Sequence, residues 1–279
     1  MFHIKPLKPS NFDFAVKLAN TMDWNMAPED FTFMASLEPH GSFLLLEDTK
    51  PIGIATCISY GKLGWFGNLI VDPRWRRKGA GSMLVNHAVN YLRDSGIETV
   101  GLYAYPQLRG FYNKLGFNAE QDFVLLCADR IAPVEFAGVH RIDKENLPRI
   151  AKFDNFFFGG DRSRLLESIV LEDGNVGYYI SERGHVAGYV AATIYASMAW
   201  VGPLICHPSR YDVAGKLIAS ALAKATDRRV YMVASKSDSV LLDMLASIGF
   251  KEEFTVTRMF LGNFEAKNCI YLAESLERG

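Results

Sequence analysis

The residues best suited to chemistry lie in one short run. Leu69, Ile70 and Val71 read as the end of a strand, which leads through Asp72-Pro73-Arg74-Trp75 into Arg76-Arg77-Lys78-Gly79-Ala80-Gly81-Ser82, where an amphipathic helix begins. Glycines at 79 and 81 let the backbone turn tightly and approach a ligand, so that successive N–H groups and the helix N-terminus converge on phosphate oxygens, with three cations beside them. A basic surface turn would carry the same charges and bind nothing, so the surroundings of the loop must decide. Cysteine offers no rival chemistry. Cys57, Cys127, Cys206 and Cys269 are far apart, lack metal-ligand spacing and read as reduced thiols of a cytoplasmic protein. His185 and His207 stand in no Cys/His/Asp grouping, and no metal is expected.

An internal repeat sets the architecture that positions this loop. Shifting the chain by 135 residues aligns Gly53 with Gly188, Tyr60 with Tyr195, Trp65 with Trp200, Gly67 with Gly202 and Pro73 with Pro208 (188 − 53 = 135), and Gly116-Phe117 meets Gly249-Phe250 at a shift of 133 (249 − 116 = 133). So long a period means two duplicated domains rather than a solenoid. In the first copy, Ser10 is expected to cap a helix and Pro28 to open another, so that two helices precede strands over 42–47, 52–60 and 65–71. Met83, Leu84, His87, Ala88, Tyr91 and Leu92 recur at helical spacing before Gly96. A strand over 99–103, a short helix over 108–115 and a strand over 123–128 complete the copy. The boundary is expected near 131–138, giving domains 1–135 and 136–279.

Composition limits the partners. The 279 residues carry 30 Lys+Arg against 31 Asp+Glu, a balance with no global field to gather nucleic acid or an anionic membrane. The N-terminus shows no cleaved-signal pattern. Residues 186–206 are uncharged over a span's length, yet their β-branched content, Gly188, Gly202 and Pro203 fit two buried strands joined near Ala196-Ser197. The repeat agrees, because the matching stretch of the first copy contains Lys62. No membrane partner is expected, and the oligomeric state is left open.

With the repeat in place, the sequence resembles the GNAT acetyltransferase family. Arg76-Arg77-Lys78-Gly79-Ala80-Gly81 is similar to the family's pyrophosphate loop, and Phe111-Tyr112-Asn113-Lys114-Leu115-Gly116-Phe117 to its second cofactor element. The Asp161-Arg162-x-x-Leu165-Leu166, Trp24, Gly64-Trp65 and Ala104-Tyr105-Pro106 elements resemble a tandem branch with a divergent second domain. The resemblance implies an α/β (α+β) fold of two GNAT-like domains, each a mixed sheet flanked by helices. It implies acetyl-CoA as co-substrate and direct transfer to an amine, here expected on a small molecule. Leu69, Ile70 and Val71 would then meet the acetyl and pantetheine groups, Val71 N–H would stabilise the oxyanion, and residues 77–82, with Arg76, would hold the pyrophosphate. Tyr112 would protonate the departing thiolate; its plain alternative is a core aromatic beside Phe111 and Phe117.

The family pattern has gaps. Tyr105 replaces an asparagine common seven residues before the tyrosine, and the strand over 64–71 carries no glutamate to serve as base. Asp23, Glu29 and Asp30 are candidates, with solvated surface carboxylates as the plain reading. In the second copy, Arg76–Gly81 maps onto Tyr211-Asp212-Val213-Ala214-Gly215-Lys216 and Tyr112 onto Leu245, so that copy is expected to bind no pyrophosphate. Phe156-Phe157-Phe158 is read as core or interface. Two functions fit: an N-acetyltransferase, or a catalytically idle acetyl-CoA sensor acting through the second domain.

Overall fold

A computed structural model describes residues 1–129 and 138–279. The chain runs through β1 (Phe2–Pro6), α1 (Phe12–Ala19), α2 (Pro28–Leu37), β2 (Ser42–Glu47), β3 (Lys50–Tyr60), β4 (Leu63–Val71), α3 (Ala80–Asp94), β5 (Thr99–Ala104), α4 (Arg109–Asn113) and β6 (Asn118–Asp129). It continues through β7 (His140–Arg141), α5 (Leu147–Phe158), α6 (Ser163–Val170), β8 (Val176–Glu182), β9 (His185–Ile194), β10 (Met198–Cys206), α7 (Tyr211–Leu222), β11 (Arg229–Ser235), α8 (Ser239–Ser247), β12 (Lys251–Leu261) and β13 (Ile270–Leu272). The uncharged stretch is the β9–β10 hairpin, as its β-branched content predicts, and no helix among the described residues is long and apolar enough to cross a membrane. Two expectations need correction. Strand β1 precedes the helices and pairs with β2. Ser10 does not cap α1, because Pro9 starts a 3-10 turn over Pro9–Asn11 and the helix begins only at Phe12.

Among the described residues the strands join one 13-stranded sheet in the order β1-β2-β3-β4-β5-β12-β6-β11-β13-β10-β9-β8-β7. The strand completing each copy is exchanged. β12 pairs with β5 of the first copy, and β6 pairs with β11 of the second, while β6 and β12 pair with each other at the centre. The boundary expected near 131–138 lies, except for Gly138, outside the described residues.

The helices bury their apolar stripes on this sheet. Leu84, Val85, Ala88 and Leu92 of α3 pack with Phe66, Val71, Leu102 and Met259, the last from the exchanged β12. On the other face of β4, Ile70 packs with Phe12 and Phe31 of α1 and α2, and Trp65 with Met34, Leu37 and Phe158. Burial of such side chains stabilises the fold by about 1.5–3 kcal/mol each.

Candidate active site

The site is built where two strands part. β4 and β5 are parallel and paired only from Leu63↔Thr99 to Trp65↔Gly101, after which β4 continues with β3 alone. A bulge adds one residue to β4 between Gly67 and Ile70, with Asn68 at φ 49° and its amide bonded to Thr56 Oγ1 at 3.2 Å. Beyond the bulge the strand edge facing away from β3 has no strand partner among the described residues. Asp72 N–H donates to Ile52 of β3 at 2.8 Å, so by strand alternation the N–H of Val71 points to the open side. The N–H of Val71 is thus available to a ligand laid along the strand, whereas by the same alternation the backbone of Ile70, paired with Ile54, faces β3.

From that edge the chain turns into the glycine loop. Arg77 and Gly79 adopt positive φ, 62° and 85°, and Gly79 immediately precedes α3 without a capping side chain. No described residue accepts a hydrogen bond from the amides of Arg77, Lys78, Gly79, Ala80, Gly81 or Ser82, so the helix N-terminus presents unsatisfied donors. Arg77 and Lys78 are exposed, whereas Arg76 is partly committed, its Nε donating to Val71 O at 2.8 Å. Asp72 stays out of the cradle; its carboxylate binds Arg74, which holds its pKa below the usual range.

Loop and tyrosine come together. A Cβ on Gly81 would lie 3.4 Å from Phe111 Cζ, placing the first turn of α3 beside α4, and Leu69, Val71, Ala80, Phe111 and Tyr112 share one apolar cluster. Tyr112 is 5% exposed, edge-on to Phe111 and Phe117 at 4.9 and 5.8 Å. Burial pushes its phenol pKa well above 10, so it keeps its proton at neutral pH. Tyr105, which replaces the asparagine, accepts a hydrogen bond from Trp24 Nε1 at 3.2 Å and lies 5.5 Å from the ring of Phe254, a residue of the exchanged β12. Of the carboxylates, Asp30 accepts from Ala27 N–H at the start of α2, and Asp23 and Glu29 are exposed.

The second copy repeats the parting strands and then closes them. β10 and β11 pair from Met198↔Arg229 to Trp200↔Tyr231, and β13 enters beyond that point, bonded to β10 on one side and β11 on the other. The edge left open on β4 is therefore sealed on β10 by the chain itself. The loop is also lost. The residues aligned with Arg76–Gly81 are already the first turn of α7, where Asp212 ion-pairs with Arg210, which brings its pKa to about 2. Leu245 replaces Tyr112 and is fully buried.

The aromatic run before α6 is partly core: Phe157 and Phe158 are buried and Phe156 is exposed. Arg162 clamps buried Asp154 through Nη2 at 2.6 Å and Nε at 3.2 Å, with its guanidinium 3.7 Å from the Phe158 ring. His207 packs between Phe153 and Phe157, and no metal-binding cluster occurs among the described residues.

Comparison with known proteins agrees with this layout. Residues 13–117 match the acetyltransferase (GNAT) family and residues 150–271 an acetyltransferase (GNAT) domain. The chain belongs to the GNAT family. It is a tandem GNAT N-acetyltransferase, with both copies recognised separately. A holothin acyltransferase from Pseudoalteromonas sp. (strain SANK 73390) is 26% identical over 280 residues, covering 99% of this chain and 94% of that one. A putative acetyltransferase from Pyrococcus horikoshii shares the fold with a TM-score of 0.85 at 21% identity, over 100% of this chain and 96% of the other. A tandem GNAT protein from the clavulanic acid biosynthesis pathway has a TM-score of 0.65 at 15% identity, over 95% and 100%.

Proposed function

We propose that this tandem GNAT enzyme binds one acetyl-CoA per chain, through residues of the 1–135 domain, and transfers the acetyl group directly to the amine of a small molecule. The observation that carries the reading is the contrast between copies: β4 ends in an open edge running into unsatisfied loop amides, whereas the matching edge of β10 is covered by β13. Val71 N–H faces the charge that develops on the thioester oxygen, and protonated Tyr112 supplies the proton taken up by the sulfur as the C–S bond breaks. The relative named for acyl transfer to holothin supports acyl transfer by a chain of this length and arrangement.

Calorimetric titration of the full chain with acetyl-CoA tests the site count, with Gly81→Asp as control. A Cβ at 81 meets only Phe111 at ordinary contact distance, so the fold tolerates the change while a carboxylate enters the cradle. A stoichiometry near one, and at least tenfold weaker binding by the variant, are expected. Two equivalent sites, or unchanged affinity in the variant, refute the assignment.

A further inference from the structure

The strand that lacks a glutamate has a carboxylate placed over it by another part of the chain. After β13, residues 273–279 cross from the second copy to the first. A Cβ on Gly202 would lie 2.0 Å from Ala273 O, and a Cβ on Gly67, its repeat partner, 2.6 Å from Glu277 O and 2.7 Å from Glu277 Cα and Cβ. The two glycines are thus where the segment touches each copy, and side chains there would expel it. The crossing is pinned. Arg278 binds Glu274 through Nε at 2.9 Å and Nη2 at 3.0 Å, Tyr60 Oη donates to Arg278 O at 2.9 Å, and Arg162 Nη1 donates to Gly279 O at 2.8 Å. Glu277 pairs with Arg278 Nη1 through Oε1 at 2.9 Å and keeps 26% of its side chain exposed.

Its position relative to the open edge is the important point. Gly67 precedes the bulge, two residues before Leu69, and alternates with Phe66, which packs under α3 in the cluster that holds Tyr112. Glu277 therefore lies on the α2 face of β4, opposite the tyrosine. We propose that Glu277 is the general base of the first copy, receiving the proton of the acceptor amine at the face of the thioester opposite Tyr112. This rests on the acetyl-transfer reading above. The acceptor ammonium gives one proton to the Glu277 carboxylate, and the neutral nitrogen then bonds to the carbonyl carbon and releases its second proton to solvent. Collapse then breaks the C–S bond, with the electron pair leaving on sulfur and a proton arriving from Tyr112. Solvent takes the proton from Glu277 and restores the one on Tyr112, so the products are the acetamide and free CoA.

The surroundings suit a base. Burial raises the Glu277 pKa above the usual range, Arg278 opposes the rise, and Glu274 and Asp30 of α2 add to it. Tyr195, from the β9–β10 turn, also faces this group. A carboxylate moved toward neutrality is the better proton acceptor.

The test compares full-length wild type, Glu277→Gln and Glu277→Asp with acetyl-CoA and two acceptors: 2-phenylethylamine, protonated at neutral pH, and hydroxylamine, which is not. For Glu277→Gln we expect unchanged acetyl-CoA affinity by calorimetry and a kcat/KM for 2-phenylethylamine lower by about 10²–10⁴-fold. The loss with hydroxylamine should be below tenfold, and Glu277→Asp should recover part of the rate. Equal losses with both acceptors, or wild-type rates in Glu277→Gln, overturn the base assignment while leaving acetyl transfer intact. Wild type that acetylates neither amine overturns the small-amine reading, and this proposal with it. Retained acetyl-CoA binding in each variant shows that the fold survives.

Discussion

Replacing Tyr112 by Phe removes one oxygen from a side chain whose ring is held on both sides by Phe111 and Phe117. The substitution keeps both ring contacts, so the stability change should stay below about 1 kcal/mol. If the phenol protonates the thiolate, kcat should fall by about 10²–10⁴-fold, which at 1.36 kcal/mol per decade is about 2.7–5.4 kcal/mol of barrier. The disparity between these magnitudes makes the variant informative. The assay is release of free CoA with a saturating amine, with acetyl-CoA affinity measured on the same sample. Tyr112→Leu, which copies the residue of the second copy, should lose as much in kcat and more in stability. Wild-type turnover by Tyr112→Phe refutes the acid role. An equal loss of affinity and turnover would make the residue a cofactor contact instead.

Asp154→Asn leaves the buried Arg162 guanidinium without its charge partner and should destabilise the chain by about 3–5 kcal/mol in urea unfolding, whereas a change under 1 kcal/mol would show that water reaches the pair. Alkaline pH should unfold the protein. Burial raises the pKa of Tyr60, Tyr103 and Tyr189 well above 10, so the native state keeps protons that the unfolded chain loses. Stability is therefore full below about pH 10 and falls above it by about 1.4 kcal/mol per pH unit for each such tyrosine. Tyr60→Phe should flatten that slope in urea titrations between pH 9 and 11, and an unchanged slope would count against it.

Much of this was legible in the residues. The 135-residue repeat, the helix from the glycine loop, the β9–β10 hairpin and the empty loop of the second copy all follow from spacing and local chemistry. What could not be read was pairing at a distance. β6 and β12 carry similar apolar runs, Phe123–Ala128 against Val256–Leu261 in β-rich sequence, and either could complete either copy; nothing local says that they trade places. The sealing of β10 by β13 was hidden for the same reason, since three residues, Ile270–Leu272, make a weak strand signal. Glu277 escaped notice because it lies 210 residues from Gly67 (277 − 67 = 210); the signal available was a glycine on β4 where a side chain would be expected.

The exchanged strands also set a timetable for synthesis. β5 has finished emerging by residue 104, but its neighbour β12 begins at residue 251, so the edge of the first copy waits for nearly all the rest of the chain. The nascent protein passes through a long interval with an apolar strand edge uncovered, the condition under which chains pair with the wrong partner. At the end of that interval β12 closes the first copy, whereas β6, made long before β11, is already at hand to close the second.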